Sequence, residues 1–150
     1  MSPDPVDIAE LIPHRPPMVM IDRLVRCDAT SAEGIKTFHA GDYGISGGSI
    51  SESLLVECLA QTVAAMQGYL LKQQGRKASQ GLLVGIDNFI VYSPVRVGSP
   101  LMMTITVANC VGPFRIVSGS VSQDGSLLAE GQMKVFLQED AHEVPTMPVA

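Results

Sequence analysis

The chain has 150 residues, of which 46% are apolar, so one domain can bury a core of ordinary size. Its formal net charge of −5, from ten basic and fifteen acidic residues, offers no cationic field to a phosphate backbone, and we expect no nucleic-acid partner. Three widely spaced cysteines, an acidic beginning without a signal-peptide pattern and no apolar run of bilayer length predict a cytoplasmic protein without a membrane span.

The predicted elements begin with a short helix and two short strands. Val6 to Ile12 carries apolar residues at helical spacing and is stopped by Pro13. Met18 to Val25 and Ile35 to His39 are predicted as strands. The glycine-rich segment from Gly41 to Ser49 predicts a loop.

A long helix is predicted to begin at Ser49, because Ser49-x-x-Glu52 is a capping-box pattern. Neither glycine nor proline follows until Gly68, and Lys72 with Gly75 marks a plausible end. Apolar side chains occupy nearly every face between these limits. The pattern therefore predicts a helix that is buried on nearly every side.

Four β-rich runs follow the helix, and short turn sequences separate them, so they should form antiparallel hairpins. The runs are Leu82 to Tyr92, Leu101 to Val111, Phe114 to Gln123 and Leu127 to Leu137. One fully buried helix with four long strands predicts an α+β fold in which a curved antiparallel sheet wraps the helix. A two-layer fold with the helix on one sheet face is the alternative, but it should leave a polar stripe on the helix. We expect one domain over residues 6–138 and a C-terminal tail over 139–150.

Polar residues four positions apart form a narrow line on the apolar helix: Ser53, Glu57 and Gln61. A carboxylate buried there without partners would cost several kcal/mol, so Glu57 must be solvated, paired or protonated. A carboxyl group in such a setting is suited to general acid or base chemistry. A subunit interface or a bound water would explain the same pattern about equally well.

Two motifs resemble those of bacterial 3-hydroxyacyl-(acyl carrier protein) dehydratases. Leu11 to Arg23, which reads LIPHRPPMVMIDR, is similar to their L-P-H-R-x-P opening, and Leu54 to Gln61, which reads LLVECLAQ, is similar to the L-x-x-E-x-x-A-Q start of their central helix. Gly85 to Phe89 and Pro94 to Gly98 resemble the next strand pair. The resemblance implies a hotdog fold, an acyl thioester substrate that acyl carrier protein could carry, and a homodimer or higher homo-oligomer.

The resemblance also implies a mechanism. In the family, a histidine removes a proton from C2 of the thioester, while the helix carboxylate of the other subunit protonates the departing 3-hydroxyl. Glu57 matches that carboxylate, and Gln61 matches the glutamine of the motif. Backbone N–H groups at the helix start would polarise the thioester carbonyl. Gly47, Gly48, Ser53 and Gln61 are accordingly the expected substrate-binding residues.

The family's histidine has no direct match in this chain. Counting back from Glu57 places Tyr43 at its position, and His39 lies four residues earlier at a predicted strand end. We therefore predict His39 or Tyr43 as the second catalytic group, although a phenol is a poor base at neutral pH. His14 is expected to have a structural role in its turn.

Three functions remain open from the sequence. The first is a dehydratase-like enzyme that uses Glu57, the second is a thioesterase in which Glu57 activates water, and the third is a non-catalytic protein that binds an acyl group or a partner. Neither metal-ligand spacing nor a phosphate-cradling glycine loop occurs, so we expect no metal and no cofactor.

Overall fold

The computed structural model describes residues 6–77 and 80–138. Its elements in chain order are α1 (Ile8–Leu11), β1 (Arg23–Cys27), β2 (Ser31–Lys36), β3 (Ile45–Ser46), β4 (Ser49–Ile50), α2 (Glu52–Gln73), β5 (Gln80–Val91), β6 (Leu101–Val111), β7 (Phe114–Gln123) and β8 (Ser126–Gln138). The predicted tail from 139 to 150 lies outside the described residues.

Six strands form one antiparallel sheet in the order β1-β2-β6-β7-β8-β5, and β3 pairs with β4 in a separate hairpin. The large sheet is curved and packs against α2. Side chains from α2 and from the concave side of the sheet fill the core, including Leu55, Leu59, Met103, Ile105, Val117, Val121 and Met133. The predicted α+β arrangement, a long helix wrapped by a curved antiparallel sheet, is confirmed.

The α2 helix is buried along most of its length, as its apolar pattern predicts. The expectation that no segment reaches bilayer length was wrong, since Glu52–Gln73 is long and apolar enough to cross a membrane. In the most apolar stretch of this helix, 72% of the residues are buried inside the fold. The helix is therefore the core helix of a soluble domain, and its apolar surface contacts protein.

The start of α2 differs from the prediction. Ser51 caps the helix and its hydroxyl accepts a hydrogen bond from the Leu54 N–H, whereas Ser49 lies in β4 opposite Ser46. Gly47 and Gly48 connect β3 to β4 with φ angles of +57° and +74°. Two consecutive positive φ angles suit a tight hairpin turn. The predicted loop therefore contains a minimal hairpin, and this hairpin removes Ser49 from the capping position.

The first two strands are also shifted relative to the prediction, whereas β5 to β8 lie within two residues of it. β1 begins at Arg23 because the segment before it is held by a side chain of α2, as described below. The Asp28 carboxylate then closes the turn to β2 by accepting hydrogen bonds from the N–H groups of Thr30 and Ser31. The hydrogen bond from the Thr30 N–H, followed by those from the Ser31 hydroxyl and N–H, holds the pKa of Asp28 well below its usual range.

Cysteine reactivity should be confined to Cys110. All three cysteines are free, and burial raises the pKa of the Cys58 thiol to about 12 and that of Cys27 to about 11, whereas Cys110 is exposed. Because the thiolate is the nucleophile, we expect iodoacetamide at mildly alkaline pH to label Cys110 rapidly, and Cys27 and Cys58 only after unfolding. Peptide mass spectrometry measures this, with Cys110→Ser as the control. Rapid labelling of folded Cys58 would contradict the buried position.

Candidate functional site

The polar line predicted on α2 contains one direct contact. Gln61 Nε2 donates a hydrogen bond to Glu57 Oε1 at 2.8 Å, as expected for side chains four residues apart on one helix face. Ser53 is exposed at the first turn, and its hydroxyl lies 3.0 Å from that of Ser51. The structure thus joins Glu57 to Gln61 by a hydrogen bond, whereas Ser53 lies exposed at the first turn of the helix.

Gln61 is buried and connects the helix to the extended segment that precedes β1. Its Nε2 donates to the Met18 carbonyl oxygen at 2.8 Å, and its Oε1 accepts from the Met20 N–H at 2.6 Å. Both contacts of the nitrogen are to acceptors and the contact of the oxygen is to a donor, so the amide has only one consistent orientation. The Gln61 side chain thus makes the backbone hydrogen bonds that a neighbouring strand would otherwise make with this segment.

This orientation constrains the carboxyl group of Glu57. Because Gln61 donates to Glu57 Oε1, that oxygen must be an acceptor, and any proton on the carboxyl must reside on Oε2. The Glu57 side chain is 32% exposed, so a ligand can reach it. Among the described residues only Oε1 of this carboxyl has a hydrogen-bond partner, which leaves Oε2 unengaged and suits a group that exchanges a proton with a ligand.

His14 also lies near the same carboxylate oxygen. Its Nε2 is 3.5 Å from Glu57 Oε1, and its Nδ1 is buried without a hydrogen-bond partner among the described residues. The sequence predicts only a structural role for this histidine. The structure brings it to the predicted catalytic carboxylate from 43 residues away in the chain.

The docking of α1 on α2 explains how His14 reaches this position. Gly68 of α2 lies so close to the Leu11 backbone that a Cβ there would overlap the Leu11 carbonyl oxygen. The chain then turns, and Arg15 Nη1 holds the turn by donating to the carbonyl oxygens of Ile12 and His14. A glycine inside a helix normally weakens it, so Gly68 is a sequence signal for close approach of another segment.

The other predicted site residues lie on the segment before α2. His39 is exposed, and its backbone N–H donates to the Asp42 carboxylate. Tyr43 is exposed, and Gly47 and Gly48 form the β3–β4 turn. Within residues 6–77 and 80–138, neither His39 nor Tyr43 makes a hydrogen bond or ion pair with Glu57. Their roles remain predictions.

A buried central helix wrapped by an antiparallel sheet is a hotdog fold, and a partly exposed carboxyl lies on the first turns of that helix. The family model described as ApeP-like, ApeP dehydratase, matches residues 6–146. The chain belongs to this family, which confirms the resemblance found in the sequence.

Similar proteins agree with this assignment. The 3-hydroxyacyl-(acyl-carrier-protein) dehydratase FabZ of Halalkalibacterium halodurans is 32% identical over 134 residues, covering 83% of this chain and 91% of the relative. The FabZ of Anaeromyxobacter dehalogenans is 29% identical over 143 residues, 91% of each chain. Among solved structures, the dehydratase heterocomplex ApeI:P from Xenorhabdus doucetiae matches with a TM-score of 0.84 at 17% identity, over 91% of this chain and 94% of that one. A hypothetical thioesterase with coenzyme A from Streptococcus pneumoniae matches with a TM-score of 0.63 at 7% identity, over 79% and 86%, and shows the fold alone.

Proposed function

We propose that this protein dehydrates a 3-hydroxyacyl thioester, carried by acyl carrier protein, to the 2-enoyl thioester in the cytoplasm. Membership in a dehydratase family and the names of the FabZ relatives support the reaction and the substrate class. The observation that carries the proposal is the Glu57 carboxyl, whose Oε1 is held by Gln61 while Oε2 is left for a ligand. No cofactor is part of this proposal.

Dehydration breaks the C2–H and C3–O bonds, forms the C2=C3 double bond and releases water. In the proposed reaction, Glu57 Oε2 donates its proton to the departing 3-hydroxyl and becomes a carboxylate. A second group accepts the C2 proton and then releases it to solvent, and solvent returns a proton to Glu57 before the next turnover. His39 and Tyr43 are the candidates for that second group, in the same chain or in a second subunit. A positioned acid or base of this kind contributes roughly 10²- to 10⁴-fold to a rate.

The start of α2 is proposed to bind the thioester carbonyl. The Ser51 cap engages the Leu54 N–H, which leaves the backbone N–H groups of Glu52 and Ser53 without partners among the described residues. These donors and the positive end of the helix dipole favour the negative charge that develops on the thioester oxygen when the C2 proton leaves. The exposed Ser53 hydroxyl and the Gly47–Gly48 turn complete the proposed binding region.

The test uses purified protein with one 3-hydroxyacyl thioester, presented on acyl carrier protein and on coenzyme A. Mass spectrometry follows the loss of one water, and a thiol reagent follows hydrolysis. We expect enoyl product without free thiol. Free thiol without enoyl product would instead identify a thioesterase, and the absence of both products would leave a binding protein.

Assembly through β5 is part of the proposal. The large sheet has two edges, and β1 is a short edge strand that carries Arg23 and Arg26. β5 is a long edge strand on which apolar side chains stay exposed, namely Leu82, Leu83, Val84, Ile86 and Ile90. Long apolar edges are normally covered, whereas charges protect free ones. We infer that β5 pairs with β5 of a second copy in a twofold dimer.

This assembly is expected to depend on Val84. Val84→Asp places a charge in the proposed interface and should raise the dimer dissociation constant by roughly 100-fold or more, because an unpaired buried carboxylate is costly. Val111→Asp is the matched control, since Val111 is as exposed but lies at the end of β6. Light scattering at micromolar concentration measures both variants. A monomeric wild type, or equal effects of the two substitutions, would remove β5 as the interface.

A further inference from the structure

We propose that His14 is the positioning residue of Glu57, a role that rests on the proposed dehydratase function. The imidazole Nε2 lies 3.5 Å from Glu57 Oε1, and Gln61 donates to that same oxygen at 2.8 Å. Two side chains from different parts of the chain thus approach one carboxylate oxygen. With Oε1 held in this way, any exchangeable proton of the carboxyl group lies on Oε2, the oxygen proposed to face the substrate.

The surroundings of the ring determine which nitrogen carries hydrogen. Nε2 faces a carboxylate oxygen, which repels a nitrogen lone pair and attracts an N–H. Nδ1 is buried without a partner among the described residues in either tautomer, so the two tautomers differ at Nε2 alone. The facing carboxylate oxygen therefore assigns the Nε2–H tautomer, in which the hydrogen-bearing nitrogen of His14 lies 3.5 Å from Glu57 Oε1.

A donor at this position affects catalysis without touching substrate. Glu57 becomes a carboxylate when it gives up its proton, and the Nε2–H then faces the new negative charge at Oε1. Such a donor favours the charged product of the transfer and limits the rotation of the carboxyl group. The site thus uses a histidine of the opening segment of the chain, although the family's catalytic histidine has no direct match here.

Three variants test the role of the imidazole. His14→Leu removes the donor, and kcat should fall about 10- to 100-fold, as expected for a misplaced catalytic group, while KM changes less than about threefold. His14→Gln retains an N–H near the Nε2 position and should recover most of the activity. Arg115→Leu is the matched control, because it removes an equivalent pair of hydrogen bonds, to the Gly112 and Phe114 carbonyl oxygens at the β6–β7 turn, and it should lower the melting temperature without the loss in kcat. An equal loss in Arg115→Leu, or no recovery in His14→Gln, would overturn the proposal.

A double-mutant cycle tests whether His14 acts through Glu57. In the Glu57→Gln background, His14→Leu should lower kcat by less than about twofold further, because residues that act as a unit are not additive. Additive losses would show an independent role for the histidine and contradict the proposal.

Nitrogen NMR provides a readout that does not depend on turnover. With the His14→Gln variant used for assignment, the His14 ring should show a protonated Nε2 and an unprotonated Nδ1, and Glu57→Gln should shift the Nε2 resonance. The opposite tautomer would overturn the positioning role even in an active enzyme. If the wild type failed to dehydrate the thioester but showed these resonances, the proposed function would fail while the His14–Glu57 contact would stand.

Discussion

Glu57→Gln is expected to lower turnover by roughly 10²- to 10⁴-fold while the fold stays intact. The new amide is nearly isosteric with the carboxyl, and its carbonyl oxygen can still accept the hydrogen bond from Gln61 Nε2. The amide cannot release a proton to a departing hydroxyl, so only the chemical step is lost. Steady-state dehydration of one 3-hydroxyacyl thioester and thermal unfolding of both proteins measure the two effects separately.

Glu33→Gln is the matched control for this prediction. Glu33 is 33% exposed and lies 3.6 Å from Arg26, much as Glu57 is 32% exposed and lies 3.5 Å from His14. Loss of such an exposed ion pair costs at most about 1 kcal/mol and should leave turnover unchanged. A Glu57→Gln protein that is destabilised but still active would end the assignment of Glu57 to catalysis and would make it a structural residue.

The regular part of the fold could be predicted because its signals are local. The α2 helix follows from an uninterrupted apolar pattern, and β5 to β8 follow from β-rich runs between turn sequences. The helix start predicted at Ser49 was wrong because that serine pairs with Ser46 in a hairpin, and a four-residue pattern does not reveal such pairing. The strand predicted from Met18 failed because its backbone hydrogen bonds go to the Gln61 side chain. Both errors arise where contacts between distant residues replace local preference.

Part of the candidate site could also be predicted from the sequence, and part could not. The contact between Glu57 and Gln61 follows from their spacing on one helix, so the pattern alone indicates it. His14 is 43 residues from Glu57, and its position depends on how α1 docks at Gly68. Periodicity carries no information on that docking. An unexplained glycine inside a buried helix is the feature from which the approach of another segment could have been anticipated.

Gln61→Leu is expected to cause the largest loss of stability among the substitutions proposed for the site. The substitution keeps the volume of the side chain but removes the partners of the Met18 carbonyl and the Met20 N–H, which then stay partly or fully buried without hydrogen bonds. Each such group costs about 1–3 kcal/mol, so the unfolding free energy should fall by roughly 2–6 kcal/mol and Tm by roughly 4–24 °C. Chemical and thermal denaturation measure both quantities.

Gln67→Leu is the control for this last prediction, because Gln67 lies on the same helix and its side chain makes no hydrogen bond within residues 6–77 and 80–138. That substitution should change stability by less than about 0.5 kcal/mol. Gln61→Leu should also lower turnover in the molecules that remain folded, since Glu57 Oε1 loses the donor that fixes its orientation. Equal stability of the two variants would show that Gln61 does not hold the segment from Met18 to Met20, and the fixed orientation of the Glu57 carboxyl would lose its main support.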